Sequence, residues 1–177
     1  MKANRNPFGY LEAGRGVVAV MLIILNAPSA ALYAQQGTSQ PIAYSHKVHI
    51  ESAGVNCIEC HVNAEKMPRA SIPNIEVCQN CHNDQPLSDS PEESKVLRYV
   101  KEETAIPWIQ IYSVPDHVYF SHRRHVVDGA IGCSACHGNV PQMTEPFSAQ
   151  VVPVTMSSCI ECHKRLNASI DCLACHR

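Results

Sequence analysis

Read for the alternation of apolar and polar positions, the 177-residue chain shows one long apolar run and very little regular periodicity after it. Residues 16–34, GVVAVMLIILNAPSAALYA, form that run. The excess of positive charge before it places its N-terminal side in the cytoplasm, which predicts export of everything that follows. Its most apolar part, Val17 to Leu25, has the length of a signal-peptide core, and Ala31 or Ala34 could precede a cleavage site. At 19 residues the whole run also approaches the ~20 needed to cross a bilayer, although Asn26 and Pro28 weaken the span. Residues 1–34 are expected to be a retained membrane anchor, with a cleaved signal segment as the alternative.

Beyond the run, proline and glycine break the chain into short pieces. Residues 35–43 read as a polar linker, with Gly37, Ser39 and Pro41 discouraging regular structure. Pro68 and Pro73 predict a loop. The clearest helix spans residues 91–103: Ser90 as N-cap, Pro91 at the first helical position, Glu93 completing a capping box, and Val96, Leu97 and Val100 as an apolar stripe. Its expected role is to space two halves of the protein, with docking of a partner as the alternative. β-Branched residues between Pro107 and Pro115 predict an extended segment in which Trp108 packs rather than relays electrons. The loop at 138–158 carries Pro141, Pro146 and Pro153 and no histidine.

Cysteine spacing then changes the picture. Cys57-Ile-Glu-Cys60-His61, Cys78-Gln-Asn-Cys81-His82, Cys133-Ser-Ala-Cys136-His137, Cys159-Ile-Glu-Cys162-His163 and Cys172-Leu-Ala-Cys175-His176 are five Cys-x-x-Cys-His motifs that use all ten cysteines. This is the signature of covalent c-type haem attachment. Two thiols on one turn can bond the vinyl groups of one porphyrin, while the adjoining histidine coordinates its iron. Five such pentapeptides with no cysteine left over predict five covalent haems. A zinc protein needs tetrahedral Cys/His sets of free thiolates, which export to an oxidising space disfavours. A disulfide-bonded domain leaves the histidine after every cysteine pair unexplained.

The remaining histidines match the same chemistry. His61, His82, His137, His163 and His176 lie in the motifs, and as many lie outside: His46, His49, His117, His122 and His125. Ten histidines for five irons is what bis-histidine ligation throughout requires. His46 and His49, in Tyr44-Ser-His-Lys-Val-His, and His122 and His125, in Phe120-Ser-His-Arg-Arg-His, precede haem motifs by a similar interval, so the chain looks internally duplicated. These four are expected to be distal ligands. The fifth distal ligand is His117 or, alternatively, the thioether of Met156 or Met143, which would raise the potential of its haem.

Composition and charge narrow the fold and the function. With residues 1–34 set aside, 143 residues remain to enclose five porphyrins, and the chain has only ten Phe, Tyr and Trp residues. The macrocycles are therefore expected to form much of the core of a mostly irregular chain with short α-helices. Residues 44–82 form a two-haem unit, residues 83–115 a haem-free connector containing the helix at 91–103, and residues 116–177 a three-haem unit. Of 14 basic and 16 acidic side chains, three (Lys2, Arg5, Arg15) and one (Glu12) lie in residues 1–34, which leaves 11 and 15, a net −4, for the rest. Nothing in that balance suggests nucleic acid, which calls for a basic stripe.

At the Phe-Ser-His-x-x-His element the sequence resembles the multihaem class III (c3/c7-like) cytochromes, in which this element supplies two distal ligands ahead of the first haem motif. Residues 120–176 are similar to a three-haem cytochrome c7 unit. Over residues 44–177, the segments SHKVH, VNCIECH, IPNIEVCQNCH, IPWIQIYSVPDHVYFSHRRH and IGCSACHGNVPQM resemble the pentahaem cytochrome subunit of alternative complex III. His117 stands where that family often has an aromatic residue, whereas Met143 and Met156 match it. The resemblance implies an electron-transfer subunit, not an enzyme by itself, on the periplasmic side of the bacterial cytoplasmic membrane. The implied partners are iron–sulfur/molybdopterin-like and integral membrane subunits of a quinol-oxidising respiratory or photosynthetic complex, and a periplasmic acceptor such as a monohaem cytochrome c or a cupredoxin. The alternatives are a soluble periplasmic shuttle and a multihaem reductase with an open iron site.

Overall fold

Where the sequence offers no periodicity, the computed structural model has only short helices joined by irregular chain. The structure describes residues 37–176. The expected anchor or signal at 1–34 lies outside the described residues, as do the first two residues of the expected linker. Among the described residues no helix is long and apolar enough to cross a membrane. Residues from Gly37 onward form one compact unit.

Among the described residues, five of the six α-helices begin at side-chain caps written into the local sequence. In α1, Cys57–Cys60, Asn56 accepts from the Ile58 N–H at 3.1 Å and Glu59 accepts from the Asn56 N–H at 2.6 Å, a reciprocal capping box. Asn74 caps α2, Ile75–Cys78; Thr155 caps α5, Met156–Arg165; Asp171 caps α6, Cys172–Cys175. Helix α4, Ser134–His137, has no side-chain cap and ends at Gly138, whose φ of 70° requires glycine's freedom. Helices α1, α2, α4, α5 and α6 each contain part or all of one Cys-x-x-Cys-His motif.

Helix α3, Pro91–Lys101, carries no motif. It stops two residues short of the expected end because Glu103 turns left-handed at φ 52°. The expected capping box is not formed. Ser90 Oγ accepts from the Glu92 N–H at 3.3 Å, but the Ser90 N–H donates to Ser88 Oγ instead of to Glu93. The Glu93 carboxylate turns back to receive the Leu87 N–H at 2.7 Å and the Ser88 hydroxyl. Two further donors outside the helix outcompete the one within it. Val96, Leu97 and Val100 are half-buried, and α3 packs against α2.

A conventional apolar core is nearly missing. Among the described residues, Ile42 and Ile106 are the buried hydrophobic side chains and Glu93 the buried charged one. Ile58, Val62, Met67, Ile72 and Leu173, near or within the motifs, are exposed. The extended segment at 106–115 ties the parts together: the Trp108 indole N–H donates to the Pro73 carbonyl at 3.0 Å. Gln40 spans Ile109 and Phe147, donating to the Ile109 carbonyl at 2.8 Å. No strand occurs among the described residues; Val118 and His176 form a single antiparallel bridge.

Candidate haem centres

The two aromatic-Ser-His-x-x-His elements have the same local geometry. In each, the second histidine's Nδ1 donates to the serine carbonyl at 2.8 Å, Ser45 for His49 and Ser121 for His125. In each, the serine hydroxyl accepts a backbone N–H at 3.3 Å, from Val48 and from Arg124. Tyr44 stacks on His49 with ring centres 4.3 Å apart, and Phe120 on His125 at 4.7 Å. The same aromatics meet His46 and His122 edge-on, both at 4.9 Å. Each element continues into a π-helical turn, Val48–Ser52 or Arg124–Asp128. Nδ1 is thereby occupied on the second histidine of each pair, and Nε2 is the atom left to bind a metal.

Motif and upstream histidines face each other in pairs drawn from distant parts of the chain. Ring centres are 6.1 Å apart for His49 and His82, 6.5 Å for His122 and His137, 6.1 Å for His125 and His163, and 5.6 Å for His117 and His176. Two imidazoles on opposite sides of one metal ion, each bonded at about 2.0 Å, put their ring centres roughly 6 Å apart. Of the two remaining histidines, His46 lies near enough to His61 to feel its charge. Burial, with a smaller push from His61 and then from His49, lowers the His46 pKa to about 4. His46 Nδ1 is buried without a hydrogen-bond partner. Burial likewise lowers His137, with His122 and His61 contributing.

Thiols of different motifs are close neighbours. Burial raises the Cys60 thiol, with Glu59 and then Cys81 adding to it, and burial raises Cys78, with Cys60 adding to it. Burial raises Cys57, with Cys133 next to it adding to the rise. Burial raises Cys136 and Cys159, with Cys162 next to Cys136 and Cys175 next to Cys159. Neighbouring thiols thus link the second motif to the first, the first to the third, the third to the fourth and the fourth to the fifth. All ten cysteines are among the described residues, and none is in a disulfide.

Hydrogen bonds to the motif histidines differ in kind. His61 Nδ1 donates to the Ser71 carbonyl at 3.1 Å and His163 Nδ1 to the Ser169 carbonyl at 2.6 Å. His82 Nδ1 instead donates to a carboxylate oxygen of Glu93 at 2.9 Å. Burial alone would raise the Glu93 pKa, but hydrogen bonds from Ser88, Leu87 and His82 lower it to about 2, so the group is an anion. Sequence reasoning placed Glu93 in a helix cap because Ser-x-x-Glu fits that signature locally. It also passed over Phe147, which meets His46 at 6.1 Å and His137 at 6.0 Å, and Tyr112, which meets His137 at 4.6 Å. No local pattern points to those contacts.

Of the methionines considered for the fifth centre, Met156 is exposed at the first position of α5, and Met143 is half-buried with its carbonyl accepting from the Lys47 N–H at 2.9 Å. Among the described residues the imidazoles meet in opposed twos and no cluster of three or more ligating side chains occurs, which suits an iron whose other four ligands are porphyrin nitrogens. The exposed apolar side chains beside the motifs suit the faces of the macrocycles. The residues present fit haem.

Opposed imidazoles beside Cys-x-x-Cys-His motifs, on short helices and irregular chain, define a multihaem cytochrome c with covalently bound c-type haem. The chain belongs to the family of cytochrome c7 and related cytochrome c, whose profile matches residues 42–96 and 118–177. It is 31% identical, over 92% of its length and 87% of the other protein's, to the multiheme cytochrome c subunit of a menaquinone reductase from Nitratidesulfovibrio vulgaris strain Hildenborough. It is also 27% identical, over 68% of its length, to the high-molecular-weight cytochrome c of the same organism, of which it spans 25%.

Proposed function

We propose that the chain is the electron-transfer subunit of a membrane-bound, quinone-linked oxidoreductase complex, with five c-type haems in a row. Cys57, Cys60, Cys78, Cys81, Cys133, Cys136, Cys159, Cys162, Cys172 and Cys175 attach them. The axial pairs are His61 with His46, His82 with His49, His137 with His122, His163 with His125, and His176 with His117. The observation that carries this reading is the set of opposed imidazoles at the spacing one iron requires. The stacking of His117 on His176 favours histidine over Met156 or Met143 as the fifth distal ligand. Residues 44–82 hold two haems, residues 116–177 hold three, and residues 83–115 connect them. An iron with two imidazoles has no open position, so the chain passes single electrons and performs no bond chemistry itself.

The complex sits on the periplasmic side of the cytoplasmic membrane, with residues 1–34 as anchor, beside integral membrane and iron–sulfur/molybdopterin-like subunits. A small periplasmic redox protein, a monohaem cytochrome c or a cupredoxin, exchanges electrons with it. The motif resemblance to alternative complex III supports quinol oxidation. The relative named as a menaquinone reductase subunit supports the second reading, in which electrons run from the periplasm to quinone. Purification of the native protein from membranes tests the subunit role: co-purifying membrane and iron–sulfur subunits are expected, and a stable monomer in the soluble fraction would make it a shuttle. Adding menaquinol or menaquinone analogues to that complex separates the two directions. The denatured chain should carry the mass of five haems, and a smaller number or alkylatable thiols would contradict the motif assignment.

A further inference from the structure

Helix α3 carries a buried carboxylate that neither attaches nor ligates a haem. Glu93 is the charged side chain buried among the described residues, at 6% exposure, and it lies against a motif histidine rather than against a cation. Three donors hold it: the Leu87 N–H, the Ser88 hydroxyl and His82 Nδ1. The first two come from the loop before α3: Ser88 holds Oε2, and Leu87 shares Oε1 with the imidazole, so the loop fixes the carboxylate against His82. His61 and His163 donate to neutral backbone carbonyls. His49, which faces His82, also donates to a carbonyl, that of Ser45.

We propose that Glu93 is a positioning and tuning residue that lowers the reduction potential of the haem ligated by His82. This rests on the assignment of His82 as an axial ligand. An Nδ1–H donated to an anionic acceptor leaves more electron density on the imidazole, so Nε2 becomes a stronger donor to iron. Stronger donation favours the ferric state, which carries one more positive charge than the ferrous state. The carboxylate charge acts in the same direction, because in a buried setting it stabilises the more positive iron with little screening by water. The redox step is a one-electron change at iron, and the carboxylate remains an anion throughout.

The location gives the effect a use. The second motif is an end of the linked series, with Cys78 and Cys81 neighbouring Cys60 of the first. A lowered potential at an end inclines electrons away from that end and puts no barrier inside the series. Helix α3, which carries no motif of its own, thus touches this motif at His82 and packs against α2, which ends at its first cysteine.

Redox titration of the five-haem holoprotein and its Glu93→Gln variant, followed by haem absorbance, is the test. His82→Ala serves as the reference that marks which couple belongs to His82. In Glu93→Gln the marked couple should move up by about tenfold in its reduction equilibrium constant, 59 mV for a one-electron couple, with the other four in place. If that couple is unchanged or moves down, the inference is overturned while the ligand assignment stands. If His82→Ala leaves five low-spin haems, the ligand assignment fails and the inference with it. Should Glu93→Gln not retain its haem, Ser88→Ala supplies the test with the opposite sign. Removing that hydroxyl frees a lone pair of Glu93 and strengthens its bond to His82, so the marked couple should move down; an unchanged or raised value overturns the inference.

Discussion

The two aromatic-Ser-His-x-x-His elements are close copies inside and different outside. Within each, the serine, the aromatic ring and the second histidine make matching contacts at matching distances. The first histidines differ: His122 Nδ1 donates at 3.1 Å to the Pro68 carbonyl of the other half, whereas His46 Nδ1 is buried with no partner. The residues leading in differ too. Ile42, two before Tyr44, is buried at 1% exposure, while Val118, two before Phe120, is half-buried and bridges to His176. Next to these stand Pro41 in the first copy and His117 in the second, and His117 stacks on His176. On the proposed assignment, the added histidine of the second lead-in is the distal ligand that accompanies the extra Cys-x-x-Cys-His motif of that half.

The largest expected effect breaks one copy at a time. His122→Ala should convert one ferric haem from low-spin to high-spin and open a site that takes up cyanide, as should His46→Ala, while the other four haems keep their spectra. If either variant keeps five low-spin haems, the two copies are not equivalent and the duplication has no functional meaning at that position.

Next in size is the difference in anchoring. Ile42→Ala should destabilise the holoprotein by about 2–5 kcal/mol in denaturant unfolding, as expected for deleting a buried isoleucine side chain. Val118→Ala should cost only about 1 kcal/mol, because a half-buried valine gains part of the full burial energy. Equal losses would mean that the lead-ins anchor alike. The smallest effect concerns what is shared: Ser45→Ala and Ser121→Ala each remove an acceptor for a turn N–H and should each cost about 1 kcal/mol. A clear inequality between them would show that the turns are not the independent copies their geometry implies.

The comparison also separates what a sequence carries from what it does not. The motifs, the doubled element and the caps of α1, α2, α5 and α6 depend on residues within a few positions of each other, and fixed spacing makes them legible. Which histidine faces which depends on segments as far apart as His49 and His82, or His117 and His176, and no local pattern encodes it. Glu93 shows how a local signature misleads. Ser-x-x-Glu satisfies a helix cap on paper, but Leu87, Ser88 and His82 offer three donors against the single N–H of Ser90. The sparse apolar core followed from composition, because few large side chains were available for a chain with five haem motifs.

The central claim is that every iron is held by two imidazoles, and the spin state of the unmodified protein tests it most directly. The ferric protein should show only low-spin haem by electron paramagnetic resonance, and the reduced protein should take up no carbon monoxide on mixing. A high-spin ferric signal or rapid carbon monoxide binding in the unmodified protein would contradict the claim, identify an open iron, and support a multihaem reductase in place of a wire.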